Sequence, residues 1–326
     1  MTAIVSSETS VVVPLESWSS PLGLVCAGLA FRNPIVLASG TAGFGRELDD
    51  VIDLSAVGGL CTKAVSVLPR EGNPALRVSE FAGGMINAVG LANPGLEAAR
   101  AEHIPFMHRA HPGTRVLLNV VGSTIDEFAA VVAGLDSVVG IDAFELNVSC
   151  PNVERGGLEF GADPAALNAL VRGARRATMR PLFVKLSPTL GAAIGESARA
   201  AVDGGADALT LVNTIPGMVI DVEVRKPKLS FGSGGVSGPA LFPIGVLATA
   251  RVHQAVNVPL VGVGGVSCWN EALQYIMAGA SLVGVGTAAL RNPRTPARIV
   301  RDLGRWCEAH NIDDIGTLVG TLQFPK

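Results

Sequence analysis

Eight short runs of aliphatic and β-branched residues recur along the chain, at 34–38, 58–63, 115–121, 143–148, 181–185, 208–213, 259–264 and 282–286. Most are apolar almost throughout, which is the pattern of strands buried on both faces. Helix-forming stretches rich in Ala, Leu, Glu and Arg lie between most of them, at 126–135, 163–177 and 193–203, with Thr124 and Asp163 placed as N-caps. Eight strands alternating with helices predict an α/β chain folded as a single (β/α)8 TIM barrel. A doubly wound open sheet is the alternative.

The ends of the runs discriminate between the two. In chain order they read Ser39-Gly40, Lys63, Asn119, Asn147, Lys185, Asn213-Thr214, Gly264-Gly265 and Gly286-Thr287. A barrel delivers every strand end to one face. An open sheet uses only the few near its switch point. Eight polar or glycine ends therefore favour a ring around one ligand. Three connections, 66–114, 150–163 and 214–240, are too long for ordinary βα loops and fall on that same face, as lids or binding segments do. Residues 1–17 read as a loose arm and 18–326 as one domain.

Composition excludes several classes. Net charge is −3, from 25 basic and 28 acidic residues, which is no footprint for nucleic acid or an anionic membrane. Mean hydropathy is high at +0.43, yet no unbroken apolar stretch is long enough to span a bilayer. No Lys or Arg precedes Arg32, so neither a secretory nor a transit signal is expected. Cys26, Cys61, Cys150, Cys268 and Cys307 are scattered without a CxxC. A disulfide framework or a cluster held by this chain alone is not expected. These features predict a soluble cytoplasmic protein.

Lysines rarely end buried strands without a partner. Lys63 and Lys185, with Asn119, Asn147 and Asn213, suit a planar, anionic ligand bearing carbonyl and ring N–H groups, because an amide both donates and accepts. Salt-bridged or snorkelling lysines are the plain alternative. Gly264-Gly265 and Gly286-Thr287 stand where barrels hold phosphate, at strands seven and eight; simple tight turns are the alternative. Cys150, in Asn147-Val-Ser-Cys-Pro-Asn152, is placed to be a thiolate base or nucleophile, whereas the other four cysteines read as small buried hydrophobes. His103, His108 and His111 lack zinc spacing and read as part of a solvated loop, and no metal site is expected.

At these residues the chain closely resembles the class 1 dihydroorotate dehydrogenases. The matching segments are Asn33-Pro-Ile-Val-Leu-Ala-Ser-Gly40, Thr62-Lys-Ala-Val65, Gly72-Asn-Pro74, Asn87-Ala-Val-Gly-Leu-Ala-Asn-Pro-Gly95, Asn147-Val-Ser-Cys-Pro-Asn152, Val184-Lys-Leu-Ser-Pro188, Asn213-Thr214, Ser237-Gly-Pro239, Gly264-Gly265 and Gly286-Thr287. The resemblance implies an FMN-binding barrel that oxidises dihydroorotate to orotate in pyrimidine biosynthesis. By motif, Cys150 would remove the C5 proton while the C6 hydride passes to flavin N5. Lys63, Asn87, Ala88, Val89, Gly90, Leu91, Asn147, Asn213 and Thr214 match substrate positions. Ser39, Lys63, Ala64, Asn119, Asn147, Lys185, Val212, Gly238, Gly264, Gly265, Gly286 and Thr287 match FMN positions, with Lys185 at the flavin's N1–C2 edge. Residues 150–163 match the active-site lid.

Within class 1, the segments 152–161 and 211–218 look like the two-subunit, NAD-linked type. That likeness implies an iron–sulfur flavoprotein partner holding FAD and a [2Fe–2S] cluster. Separately, the strongly apolar composition of the barrel predicts at least a homodimer of this chain. The fumarate-reducing homodimeric type is the near alternative. An FMN barrel acting on another pyrimidine, and a flavin subunit that only scaffolds a complex, are the more distant ones.

Overall fold

The computed structural model describes residues 20–48, 51–111, 113–149, 151–152 and 158–325. Eight parallel strands close into a barrel in simple sequential order. They are β1 (Ile35–Leu37), β2 (Gly59–Cys61), β3 (Arg115–Val120), β4 (Ala143–Asn147), β5 (Leu182–Leu186), β6 (Ala208–Leu211), β7 (Leu260–Val263) and β8 (Leu282–Val285). Seven lie inside the runs that predict them and β5 extends one residue past its run, to Leu186; the open-sheet alternative falls because β8 pairs with β1. The proposed boundary at residue 17 lies outside the described residues.

An outer ring of helices covers the strands. It includes α1 (Ile104–Ala110), α2 (Ile125–Leu135), α3 (Pro164–Arg175), α4 (Ile194–Asp203), α5 (Phe242–His253), α6 (Trp269–Met277) and α7 (Thr295–Ala309). The two expected caps form. Thr124 Oγ1 accepts from Glu127 N, and Asp163 Oδ1 accepts from Ala165 N and Ala166 N, pairing N–H groups that the first helical turn leaves open. Between β1 and β2 the connection is made by short 3-10 turns, Arg46–Leu48 and Leu54–Ala56, and α7 packs against that side of the barrel instead.

Buried on both faces, the strands nevertheless alternate in where they look. Outward residues such as Leu118, Phe144, Leu146, Val184 and Leu209 pack under the helices. Inward residues at the N-terminal end, Val36, Leu117, Ala143, Phe183, Ala208, Val261 and Leu282, form a separate apolar floor. The hairpin Leu24–Cys26/Leu29–Phe31 plugs that floor with Cys26 and Phe31, both fully buried. Burial pushes the Cys26 thiol up to about 12. Two residues further along β3, β4, β5 and β6, the inward positions become Asn119, Glu145, Lys185 and Thr210, and all four are buried. The barrel interior thus changes from apolar to polar half-way up. A period of two makes that change invisible in hydropathy averaged along a strand.

The long connections interlock above the barrel. Val78–Phe81 and Gly84–Asn87 from the first join Ile215–Gly217 and Gly234–Ser237 from the third in one four-stranded antiparallel sheet. Residues far apart in sequence are thereby placed over one mouth.

Candidate active site

The base of the mouth is a hydrogen-bonded polar layer. Glu145, 3% exposed, accepts from Asn119 Nδ2 at 2.8 Å and from Cys61 Sγ at 3.0 Å on Oε1, and from Thr210 Oγ1 at 2.8 Å on Oε2. A carboxylate so buried is tolerated only with partners of this kind. Burial, then the Glu145 charge, drive the Cys61 thiol well above its ordinary range, partly opposed by Lys185. Lys185 is itself buried and, among the described residues, pairs with no carboxylate. Asn119 Oδ1 is buried and has no hydrogen-bond partner among the described residues. A buried acceptor left open in this way marks a place where a ligand N–H fits.

Around this layer stand the other expected residues. Ser39 Oγ donates to Thr62 O at 2.9 Å, and Thr62 Oγ1 accepts from Asn119 N at 3.1 Å. Ala64 packs with Val121 and Leu91, so positions expected to hold cofactor and substrate share one apolar contact. Val212 is buried and its N–H donates to Val263 O. Asn213 Nδ2 donates to Asn147 Oδ1 at 3.1 Å, tying the ends of β4 and β6. Burial lowers the pKa of Lys63; Glu47 opposes the shift and Arg77 reinforces it.

The glycines beyond β7 and β8 also converge. Gly264 and Gly265 have φ of +132° and +72°, and Gly265 lies so close to the next segment that a Cβ there would sit 2.9 Å from Gly238 O. Gly238 in turn approaches the Thr287 methyl, and Thr287 Oγ1 bonds Ser237 Oγ at 2.8 Å. A Cβ on Gly286 would meet nothing closer than 3.6 Å. Backbone and small residues thus meet closely in one polar, glycine-rich turn region, where a side chain at Gly286 would already be in van der Waals contact with Ala38 and Thr41.

The segment 87–91 is gripped from behind. Asn73 N and Nδ2 donate to Val89 O and Ala88 O at 3.1 and 3.0 Å. Gly90 and Leu91 both take positive φ, 75° and 57°, and buried Asn93 Nδ2 donates to Leu91 O at 2.8 Å. Asn87 Nδ2 donates to Gly235 O at 3.3 Å, and Thr214 packs against Gly235. Asn87 and Thr214 thus both meet Gly235, and Thr214 N donates in turn to Asn213 Oδ1, so that the four residues are linked through Gly235 and the Asn213–Asn147 bond. Cys150 and residues 153–157 of the expected lid lie outside the described residues. Pro151–Asn152 pairs with Leu158–Glu159 as a short ribbon. Glu159 beside it has its carboxyl raised by burial, partly opposed by hydrogen bonds to Ser187 and Thr189.

Sequence reasoning missed Glu145, Asn73 and Asn93 as site-building residues. Glu145 carries a readable signal: it is an acid two places before Asn147 in a strand-like run, hence on the same inward face. The histidine reading needs correction. His103 and His108 lie on the helical stretch that ends in α1, where His103 stacks on Phe44 at 4.7 Å, rather than on a loop. Among the described residues no cluster of His, Cys, Asp or Glu is arranged to hold a metal ion. No helix among them is long and apolar enough to cross a membrane.

The profile of the family described as dihydroorotate dehydrogenase matches residues 22–306. The chain belongs to the dihydroorotate dehydrogenase family. Among curated relatives, the catalytic subunit of dihydroorotate dehydrogenase B (NAD(+)) from Pelobacter propionicus is 46% identical over 91% of this chain and 97% of its own length. The protein of the same name from Desulforudis audaxviator is 47% identical over 90% and 95%. A relative from Solibacter usitatus, provisionally named dihydroorotate dehydrogenase A (fumarate), is 44% identical over 93% and 99%.

Proposed function

We propose that this chain is the FMN-bearing catalytic subunit of an NAD-linked dihydroorotate dehydrogenase, oxidising dihydroorotate to orotate in pyrimidine synthesis. The observation that carries the reading is the buried polar layer under the mouth, with an open acceptor on Asn119 and a buried Lys185. It suits the pyrimidine edge of a flavin, which offers a ring N–H between carbonyls. FMN bound there supplies the two-electron acceptor.

The chain's residues supply the rest. Ser39, Ala64, Asn119, Lys185 and Val212 hold the ring; Gly238, Gly264, Gly265, Gly286 and Thr287 hold its phosphate. Lys185, a buried cation beside this layer, would offset negative charge that the ring gains on reduction. Lys63 pairs with the substrate carboxylate, a charge-assisted contact strengthened by burial. Asn87, Asn147, Asn213 and Thr214 bond the substrate's carbonyls and N–H groups, and 88–91 shapes the edge of the pocket. Cys150 takes the C5 proton, under a lid spanning 150–163 that excludes water.

Electrons leave through a second subunit carrying FAD and a [2Fe–2S] cluster, and two copies of this chain pair. Exposed Met218, Ile220, Val222, Val224 and Phe231 on the third long connection support an association surface. The fumarate-linked relative favours a second reading in which this chain alone passes electrons to fumarate.

An anaerobic visible spectrum of the purified chain tests the proposal. A flavin band that bleaches on adding dihydroorotate supports it; a flavin that does not respond refutes the substrate. Reoxidation by fumarate without a partner would replace the NAD-linked reading.

A further inference from the structure

Glu145 has no place in the chemistry so far, yet it is the most heavily hydrogen-bonded buried acid in the barrel. Its three partners all donate: the Asn119 amide, the Cys61 thiol and the Thr210 hydroxyl. A carboxylate accepts only. It therefore decides which way round the Asn119 amide stands: Nδ2 must turn to Glu145, and Oδ1 is left as an acceptor. That Oδ1 is the buried atom without a partner. An amide otherwise presents donor or acceptor at nearly equal steric cost, so its orientation is set by its neighbours.

We propose that Glu145 is a positioning residue for the flavin, locking Asn119 so that its Oδ1 accepts from the single N–H of the oxidised flavin ring. The inference rests on the FMN reading above. The main-chain bonds of Asn119, its N–H donating to Thr62 Oγ1 at 3.1 Å and its carbonyl accepting from Val65 N at 2.9 Å, hold the strand and leave the side-chain amide free to turn. Among the described residues, Glu145 is the group that bonds that amide.

The test inverts the polarity of the bond. Asn119→Asp places two carboxyl groups face to face, and the pair then holds a proton between them. Glu145→Gln with Asn119→Asp returns one donor and one acceptor, reversed. The new amide at position 145 donates to the new carboxylate at position 119, whose other oxygen faces the mouth. The double variant keeps the net charge of the native pair. FMN affinity is measured by titrating apo-protein with FMN and following flavin fluorescence, from pH 6 to 8.

Asn119→Asp alone is expected to weaken FMN by at least about 30-fold and to make its affinity depend on pH. The double variant is expected to recover to within about threefold of the native protein and to lose that dependence. Native-like affinity in Asn119→Asp, or no recovery in the double variant, overturns the proposal. Should Asn119→Asp not fold, Glu145→Met serves. It keeps the side chain's approximate volume while taking away the acceptor shared by Asn119, Cys61 and Thr210, and so leaves the Asn119 amide unheld; a loss of about tenfold in FMN affinity supports the proposal and an unchanged affinity overturns it. A native chain that binds no FMN would instead refute the cofactor reading on which this rests.

Discussion

Asn93→Ala offers a sharp test of how the mouth is built. Asn93 is 8% exposed. Its Oδ1 accepts from Gly95 N at 2.9 Å and from Ser66 N at 3.2 Å, and its Nδ2 donates to Leu91 O and Ser66 Oγ, both at 2.8 Å. Truncation leaves the N–H groups of Gly95 and Ser66 and the carbonyl of Leu91 without this partner. Each net bond is worth about 1 kcal/mol, and an unsatisfied buried group costs about 1–3. Partial rescue by a water in the vacated space brings the expected total to about 2–4 kcal/mol. The loss falls on the segment that holds Leu91 at φ of +57°, a conformation that a branched side chain does not favour unaided. Urea unfolding should show the stability loss. Flavin difference spectra on titration with orotate should show affinity reduced about tenfold or more, with FMN retained. Orotate affinity within twofold of native, alongside the full stability loss, would refute the claim that this anchor shapes the substrate pocket.

Further outcomes follow from the same geometry. Cys150→Ala should lower turnover of dihydroorotate by at least about 10²-fold at neutral pH while leaving orotate binding intact, as removal of a general base does; stopped-flow flavin reduction measures it. Lys63 has a pKa lowered mainly by burial, so its charge is lost, as pH rises, earlier than that of an exposed lysine. Orotate affinity should therefore fall with rising alkaline pH, with proton uptake on binding, and Lys63→Gln should show weak, pH-flat binding. With thiols pushed up by burial, Cys26 and Cys61 should not react with an aromatic disulfide reagent at pH 8 until the chain unfolds, which mass spectrometry of the labelled protein would show.

How much of this was legible beforehand follows from period and distance. The strands were legible because each is a short apolar run between turn signals, and the caps at Thr124 and Asp163 because a cap is a local event. Lys185 and Asn147 stood out as polar ends of apolar runs. Glu145 shares their inward face by period but sits inside such a run rather than at its end, and its tertiary partners on β2, β3 and β6 define its role. The four-stranded sheet over the mouth was equally hidden. Its central pairing joins Asn87 to Gly235, and no local pattern announces a partner that far along the chain. The histidines misled for the opposite reason: a cluster of like residues attracts notice, while the helix carrying them includes a π segment, Ala99–His103, that blurs the usual 3.6-residue period.

That sheet explains why the pocket does not depend on any one loop. Asn87 ends a strand whose neighbour, Gly234–Ser237, runs directly into Gly238 at the glycine-rich turns beyond β7 and β8. The same neighbour pairs on its other side with Ile215–Gly217, which follows Thr214. One backbone ladder thus sets the distance between these glycine-rich turns and the amide groups above the barrel. Side-chain contacts adjust within that frame, but a change in ladder register would move both together. Where a ligand must be held at both ends, as a phosphate-bearing ring and a substrate stacked on it would be, coupling the two through main-chain hydrogen bonds limits the freedom lost on binding. The barrel supplies the charged base of the site, and the interlocked connections supply its spacing.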